Sequence, residues 1–407
     1  MEQITKPHCG ARLDRLPDCR WHSSMFAIVS FGLLVCWSNA VGGLILAQLK
    51  ELGWTDNSTT ATFSAITTAG MFLGALVGGI IGDKTGRRNA FILYEAIHIA
   101  SMVVGAFSPN MDFLIACRFV MGVGLGALLV TLFAGFTEYM PGRNRGTWSS
   151  RVSFIGNWSY PLCSLIAMGL TPLISAEWNW RVQLLIPAIL SLIATALAWR
   201  YFPESPRWLE SRGRYQEAEK VMRSIEEGVI RQTGKPLPPV VIADDGKAPQ
   251  AVPYSALLTG VLLKRVILGS CVLIAMNVVQ YTLINWLPTI FMTQGINLKD
   301  SIVLNTMSMF GAPFGIFIAM LVMDKIPRKT MGVGLLILIA VLGYIYSLQT
   351  SMLLITLIGF FLITFVYMYV CYASAVYVPE IWPTEAKLRG SGLANAVGRI
   401  SGIAAPY

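Results

Sequence analysis

Long apolar runs alternate with short polar segments along most of this chain. Because a helix needs about 20 apolar residues to cross the hydrocarbon core of a bilayer, each long run predicts one transmembrane helix. We number these predicted helices spans 1 to 11. Their predicted bounds are Met25–Gln48, Thr60–Gly82, Ala90–Phe107, Met111–Glu138, Ser149–Leu173, Arg181–Phe202, Leu263–Thr293, Ser301–Met323, Thr330–Leu348 and Ser351–Val378, with span 11 beginning near Ser391.

A long polar segment, roughly 203–262, separates spans 6 and 7. Within it, Arg214–Glu227 predicts an amphipathic helix with charge pairs four residues apart, whereas Pro236–Pro253 has the composition of a linker. The segment divides the chain into an N-terminal segment (1–24), a first half (25–202), the linker (203–262) and a second half (263–407). Because six spans precede the linker, we expect six after it, with the second half truncated in span 11 at Tyr407.

Composition places most of the chain in lipid. Hydrophobic residues make up 55% of it, charged residues only 13%, and the mean hydropathy is +0.60. A soluble domain carries about 25% charged residues. The net charge of +9 therefore reflects membrane topology, and we expect no nucleic-acid partner.

Lys and Arg cluster on one side of the predicted spans, which we call the basic side. The opposite loops hold only Lys50, Arg181 and Lys299. Since cytoplasmic loops carry the excess of Lys and Arg, the N-terminus and the 203–262 segment are predicted to be cytoplasmic, in a multi-pass protein of the inner (plasma) membrane. The basic side comprises Lys6, Arg12, Arg15, Arg20, Lys84, Arg87, Arg88, Arg143, Arg145, Lys325, Arg328, Lys329, Lys387 and Arg389.

Two basic-side motifs occur twice, at nearly one offset. GIIGDKTGRR at 79–88 has a shorter copy, DKIPRK at 324–329, and Asp83 and Asp324 lie 241 positions apart (324 − 83). Glu138 and Arg145 flank a proline, as Glu380 and Arg389 do 242 positions (380 − 138) later. Two landmarks at one offset indicate a duplicated membrane bundle, which is how many secondary transporters are built.

These motifs resemble those of the major facilitator superfamily. RFVMGVGLG at 118–126 is similar to its RxxxGxGxG motif, and PESPRWL at 203–209 resembles a signature of sugar porters and related metabolite:proton symporters. The resemblance implies an all-α membrane protein with the major facilitator fold. Two six-helix halves would hold twelve spans, about eleven of them visible. It also implies a secondary active transporter that moves a small polar metabolite, organic acid or sugar-like, by alternating access with protons.

The resemblance further implies that charges on the basic side pair to clamp the two halves together while the other side is open. The plainer alternative is that they set topology and cap the helix of span 3. The predicted network comprises Asp83, Arg87, Arg88, Glu138, Arg145, Glu204, Arg207, Asp324, Arg328, Glu380 and Arg389.

Polar and aromatic side chains in mid-span are candidates for binding the substrate. A buried amide must be hydrogen-bonded, so the alternative for each is a bond between helices. Arg118 lies about 10 Å inside the outer end of span 4 and either braces helix carbonyls or binds an anionic substrate. The candidates are Asn39, Arg118, Asn157, Trp158, Asn277, Gln280, Tyr281, Asn305, Tyr367 and Tyr372.

Proton coupling has one candidate pair, Glu95 and His98, which share a face of span 3. Glu95 lies about one and a half turns from the predicted basic-side end of that span, so the alternative is that it reaches water. Related proton symporters often carry an acid in span 1, but no carboxylate occurs between Ser23 and Lys50 here. An uncoupled facilitator or exporter, coupling to another ion, and a transporter-like nutrient sensor therefore stay open.

Other chemistry is not indicated. The seven cysteines are scattered without metal-ligand spacing, and no nucleophile–base pair is visible, so we expect no cofactor, no metal and no enzyme activity. The expected partners are a small-molecule substrate, the lipid bilayer and protons, and we expect a monomer.

Overall fold

The computed structural model describes residues 7–17, 19–141, 145–240, 254–293, 295–323, 325–349, 351–382 and 386–404 of the 407-residue chain. These residues form helices joined by short turns. The α-helices are α1 (Cys9–Asp14), α2 (Arg20–Leu33), α3 (Trp37–Glu51), α4 (Asn57–Thr85), α5 (Arg87–Ala106), α6 (Met111–Tyr139), α7 (Arg145–Asn157), α8 (Ser159–Leu170), α9 (Ala176–Tyr201), α10 (Pro206–Ser211), α11 (Tyr215–Thr233), α12 (Tyr254–Leu257), α13 (Gly260–Thr293), α14 (Leu298–Met309), α15 (Gly311–Val322), α16 (Arg328–Ser347), α17 (Met352–Cys371), α18 (Val378–Glu380) and α19 (Lys387–Ala404).

Most predicted spans correspond to one helix each. Within the described ranges, nine segments are long and apolar enough to cross a membrane, and they match spans 1 to 4 and 6 to 10. Span 5 corresponds to α7 and α8, and span 11 to α19. The all-α membrane fold predicted from hydropathy is therefore confirmed.

Several of the predicted spans contain a break or a change of helix type. Span 5 breaks at Trp158 and span 8 at Phe310. In both cases a proline follows three residues later, Pro161 and Pro313, and its missing N–H leaves a carbonyl of the preceding turn without its helical partner. Span 1 contains a 3₁₀ turn over Leu34–Cys36, and span 10 ends in a π turn over residues 372–377.

Spans 2 and 4 pack with their backbones in contact. A Cβ added to Gly74 would lie 2.0 Å from the Val123 carbonyl oxygen, and one added to Gly126 would lie 2.1 Å from that of Met71. No side chain fits in either place, so glycine is required where small residues let membrane helices approach this closely.

The N-terminal segment and the linker form one small helical unit, the helical cap (α1, α10 and α11). Leu13 on α1 packs with Trp208 and Met222 in a buried cluster. Helix α1 was not predicted, because six residues are too few for a periodic pattern. The predicted amphipathic helix is confirmed as α11 and extends further, to Thr233. Much of the predicted linker, residues 241–253, lies outside the described residues.

Ion pairs hold the helical cap together. Arg12 pairs with Glu219 and Glu226, and Arg15 also pairs with Glu226 at 2.6 Å. Burial acts to raise the pKa of Glu226, but the two guanidinium groups outweigh it and lower that pKa below its usual value. The carboxylate therefore stays charged while the cap is assembled.

The two halves pack most closely on the side opposite the basic side. There, the Asn305 amide nitrogen donates to the Ser164 hydroxyl across the interface at 3.1 Å. Leu298 and Ile302 of α14 share a buried cluster with Leu44 of α3. The path between the halves is thus closed on this side.

Candidate functional site

Five polar side chains from both halves meet between them, and we call them the central cluster: Asn39, Tyr160, Gln280, Tyr281 and Tyr367. Tyr160 interacts with Asn39, Tyr281 and Tyr367, and Tyr367 also with Gln280. The rings of Tyr160 and Tyr367 lie 5.5 Å apart, edge to face. Helix breaks position two members, since Asn39 follows the 3₁₀ turn of span 1 and Tyr160 follows the break in span 5.

The Tyr367 hydroxyl is the most notable group of this cluster. The residue is only 1% exposed, and within the described part of the chain no partner meets hydrogen-bond geometry with that hydroxyl, although Tyr160 and Gln280 are near it. A buried hydroxyl without a partner is costly. A bound molecule with donors or acceptors would supply the missing bond.

Sequence reasoning identified four members of the cluster and missed Tyr160. Its neighbours Asn157 and Trp158 were chosen instead, because both have polar groups in mid-span. The signal that would have found Tyr160 is Pro161, which breaks the helix and redirects the residues around it.

Three predicted amides lie outside the cluster. Asn157 and Asn277 each donate to the backbone carbonyl four residues earlier, both at 2.8 Å. Asn305 bonds to Ser164 between the halves. Each therefore makes a bond within or between helices, the alternative weighed for it from the sequence.

Two predicted aromatic residues also lie elsewhere. The Trp158 ring meets Phe310 edge to face at 6.3 Å in an apolar groove of spans 5, 8 and 10. Tyr372 stacks on Tyr377 at 5.2 Å, and its hydroxyl lies against Gly332 of span 9. Neither contact places the side chain with the central cluster.

Arg118 is buried in the first half and points at span 1. Its guanidinium donates to the Ser38 carbonyl oxygen at 2.7 Å and lies 4.6 Å over the Phe63 ring. Gly42 leaves the room for it, since a Cβ there would be 2.7 Å from Nη2. These contacts fit the bracing alternative and do not direct the charge into the central cluster.

Glu95 and His98 are both fully buried, and His98 contacts Ser38, as this arginine does. The alternative that Glu95 reaches water is therefore wrong. His98 Nδ1 lies 3.8 Å from Glu95 Oε2 and 3.4 Å from the Ser191 hydroxyl, while Nε2 lies 2.8 Å from the Ser38 hydroxyl. Among the described residues, neither Glu95 oxygen has a partner with hydrogen-bond geometry.

On the basic side, Glu204 of the linker caps the helix of span 3. Its carboxylate accepts the backbone N–H of Arg87 at 2.7 Å and that of Ser205 at 2.9 Å. Gly86 makes room for it with φ of 97°, and a Cβ there would lie 2.2 Å from Oε2. Burial raises the pKa of Glu204, although these N–H groups oppose the shift.

The remaining basic-side charges pair within one half wherever the structure describes both partners. Arg87 bridges Asp83 at 2.7 Å and Glu138 at 2.9 Å in the first half. Arg328 pairs with Glu380 at 2.9 Å in the second.

Other members of the predicted network have different partners. Arg207 pairs with Asp14 at 2.9 Å, and Arg88 donates to the Trp199 carbonyl. The side chains of Arg145, Asp324 and Arg389 lie outside the described residues. A clamp between the halves stays a prediction.

Two helical halves that meet at a polar cluster are the architecture of many transporter folds. The family model described as Major Facilitator Superfamily matches residues 26–406, and the chain belongs to that superfamily.

Several proteins similar to this chain are named as transport proteins. The inner membrane metabolite transport protein YdjE of Escherichia coli is 44% identical over all of this chain and 89% of its own length. The niacin transporter NiaP of Acinetobacter baylyi is 24% identical over 97% and 88%. The xylose transporter XylE of Escherichia coli, in a partially occluded inward-open conformation, superposes with a TM-score of 0.72 at 18% identity, over 95% and 91%. The chain is therefore a multi-pass transporter of small metabolites and not an enzyme.

Proposed function

We propose that this protein carries a small polar metabolite across the bacterial inner membrane by alternating access, driven by protons. The observation that carries the proposal is the central cluster, which both halves build and which includes the buried Tyr367 hydroxyl, a group without a partner of good hydrogen-bond geometry among the described residues. A site at the interface of two halves becomes accessible from either side when the halves rock. The contacts opposite the basic side support an inward-facing state, with the N-terminus in the cytoplasm.

The cluster favours a hydroxyl-bearing substrate over an organic acid. Its five members offer hydroxyl groups, amides and aromatic faces, and none carries a charge. Arg118, for which binding of an anionic substrate was one of two alternatives, donates to the Ser38 carbonyl oxygen. The relatives include proteins named for niacin, an acid, and for xylose, a sugar, so both classes belong in the test.

Proton coupling rests on Glu95 and His98. Buried ionisable groups in transporters commonly mark proton pathways, because a lone charge inside the membrane is expensive. The absence of a carboxylate between Ser23 and Lys50 supports the competing function, an uncoupled facilitator.

Uptake into proteoliposomes decides between these functions. A panel of labelled sugars, polyols and organic acids is offered with and without an inside-alkaline pH gradient. We expect gradient-driven accumulation in the wild type, loss of accumulation in Glu95→Gln with substrate exchange retained, and wild-type behaviour in the exposed control Glu51→Gln.

Two other outcomes of the uptake assay would contradict the proposed function. Equilibration that ignores the gradient would identify a facilitator and leave Glu95 with a structural role. Binding without flux of any panel member would support a nutrient sensor.

A further inference from the structure

Ser38 is the point where three functional groups of the first half meet. Its hydroxyl lies 2.8 Å from His98 Nε2, and its carbonyl oxygen accepts from Arg118 at 2.7 Å. The next residue, Asn39, belongs to the central cluster. Ser38 is itself fully buried.

The backbone just before Ser38 departs from α-helical geometry. Leu34–Cys36 forms a 3₁₀ turn between α2 and α3, and such a turn inside a longer helix often marks a hinge because its hydrogen bonds are poorer. Beyond it, α3 is buried from Trp37 to Leu49 against both halves. A displacement of Ser38 would therefore act on the 3₁₀ turn at Leu34–Cys36.

Close contacts hold the backbone of His98 in place. A Cβ on Gly124 would lie 3.1 Å from the His98 backbone, and the Ser101 hydroxyl donates to the His98 carbonyl at 2.8 Å. Span 4 fixes the backbone of His98. A change in the protonation of the ring therefore acts on the residues that contact its two nitrogens.

Those partners come from three helices. Glu95 on the same helix and Ser191 on span 6 face Nδ1, and Ser38 on span 1 faces Nε2. The charged group nearest to this set from span 4 is Arg118, which reaches Ser38 from the other side.

We propose that Ser38 is the positioning residue that links the proton site to the substrate site, an inference that rests on the proposed proton coupling. When the His98 ring is protonated, Nε2–H donates to the Ser38 hydroxyl. When the ring is neutral with its hydrogen on Nδ1, Nε2 accepts from that hydroxyl instead. The reversal changes whether the Ser38 hydroxyl donates to His98 or accepts from it, next to the 3₁₀ turn of span 1. Asn39 then moves with the protonation state.

Hydrogen–deuterium exchange of residues 34–40 in the purified full chain tests the link without a substrate. Samples are compared at about pH 5.5 and about pH 8. Because the intrinsic exchange rate of amides depends on pH, each variant is compared with the wild type at the same pH. We expect wild-type protection to change by about fivefold between the two conditions, the effect of one ordinary hydrogen bond.

The variants are Ser38→Ala, which keeps the carbonyl for Arg118, and Ser101→Ala, which removes another buried hydroxyl beside His98. We expect Ser38→Ala to lose the pH dependence and Ser101→Ala to keep it. A wild type with no pH dependence, or a Ser38→Ala protein that keeps it, would overturn the link.

Transport separates this inference from the proposed function. In proteoliposomes, we expect Ser38→Ala to exchange substrate at a rate within about twofold of wild type while gradient-driven accumulation falls by about fivefold or more. If the wild type ignores the gradient but its exchange depends on pH through Ser38, proton coupling fails and the link stands. If Ser38→Ala accumulates substrate as the wild type does, the link fails and coupling stands.

Discussion

Replacing Tyr367 by Phe removes one oxygen atom from the central cluster and leaves the ring in place. In the substrate-free protein that hydroxyl is buried without a partner of good geometry among the described residues, a state that costs about 1–3 kcal/mol. Its removal should therefore leave thermal stability unchanged or raise it. When substrate is bound, the same hydroxyl makes a bond worth about 1 kcal/mol, so its loss should weaken binding roughly fivefold.

The two effects have opposite signs, which makes the variant informative. The assay is the KM for uptake of whichever panel member is transported, together with the unfolding midpoint in detergent. Tyr372→Phe is the matched control on the same span, since its hydroxyl lies against Gly332. We expect KM to rise for Tyr367→Phe and to stay constant for Tyr372→Phe.

An unchanged KM in a folded Tyr367→Phe protein would refute the assignment of this hydroxyl to the substrate. A rise in KM for Tyr372→Phe alone would move the site toward span 9. A marked loss of stability in Tyr367→Phe would show that the hydroxyl already has a partner in the empty protein.

Two further predictions concern the basic side. Gly86→Ala should destabilise the protein by about 2–4 kcal/mol, since alanine resists the glycine-only backbone conformation there and its Cβ would displace the Glu204 cap. Gly213→Ala, at φ of 71° in open space, should cost only about 1 kcal/mol in the same denaturation assay, and equal losses would contradict the capping role. The second prediction concerns acid. Because Arg12 and Arg15 lower the pKa of Glu226, the stability they give the helical cap is complete above the ordinary glutamate pKa of about 4.3 and is lost as pH falls through the lower folded value. Exchange protection of α1 should therefore fall only below about pH 4.3, and a loss near neutral pH would contradict this.

Much of the architecture could be predicted because hydropathy is a local property. Any run of about 20 apolar residues must be helical in lipid, whatever surrounds it, so the predicted bounds of spans 2 and 7 are close to those of helices α4 and α13. The repeated motifs also indicated two related halves, since a duplicated sequence carries its landmarks at one offset.

The neighbours of individual side chains could not be predicted. From the sequence, Tyr367 and Tyr372 are equally good candidates for the substrate site. The π turn that begins at Tyr372 changes the helical phase, so the two side chains contact different helices. Tyr160 joins the cluster because the break at Trp158 redirects it.

The sequence by itself determined the membrane class, the helical spans, the pseudo-repeat and the set of candidate polar groups, because each depends on residues close together in the chain. Only the tertiary structure decided which of those groups meet. Arg118 could have faced the substrate or a carbonyl, and the approach of span 1 at Gly42 gave it the Ser38 carbonyl. A buried polar group takes whichever partner packing brings within about 3 Å, and packing between helices is a property of the whole bundle.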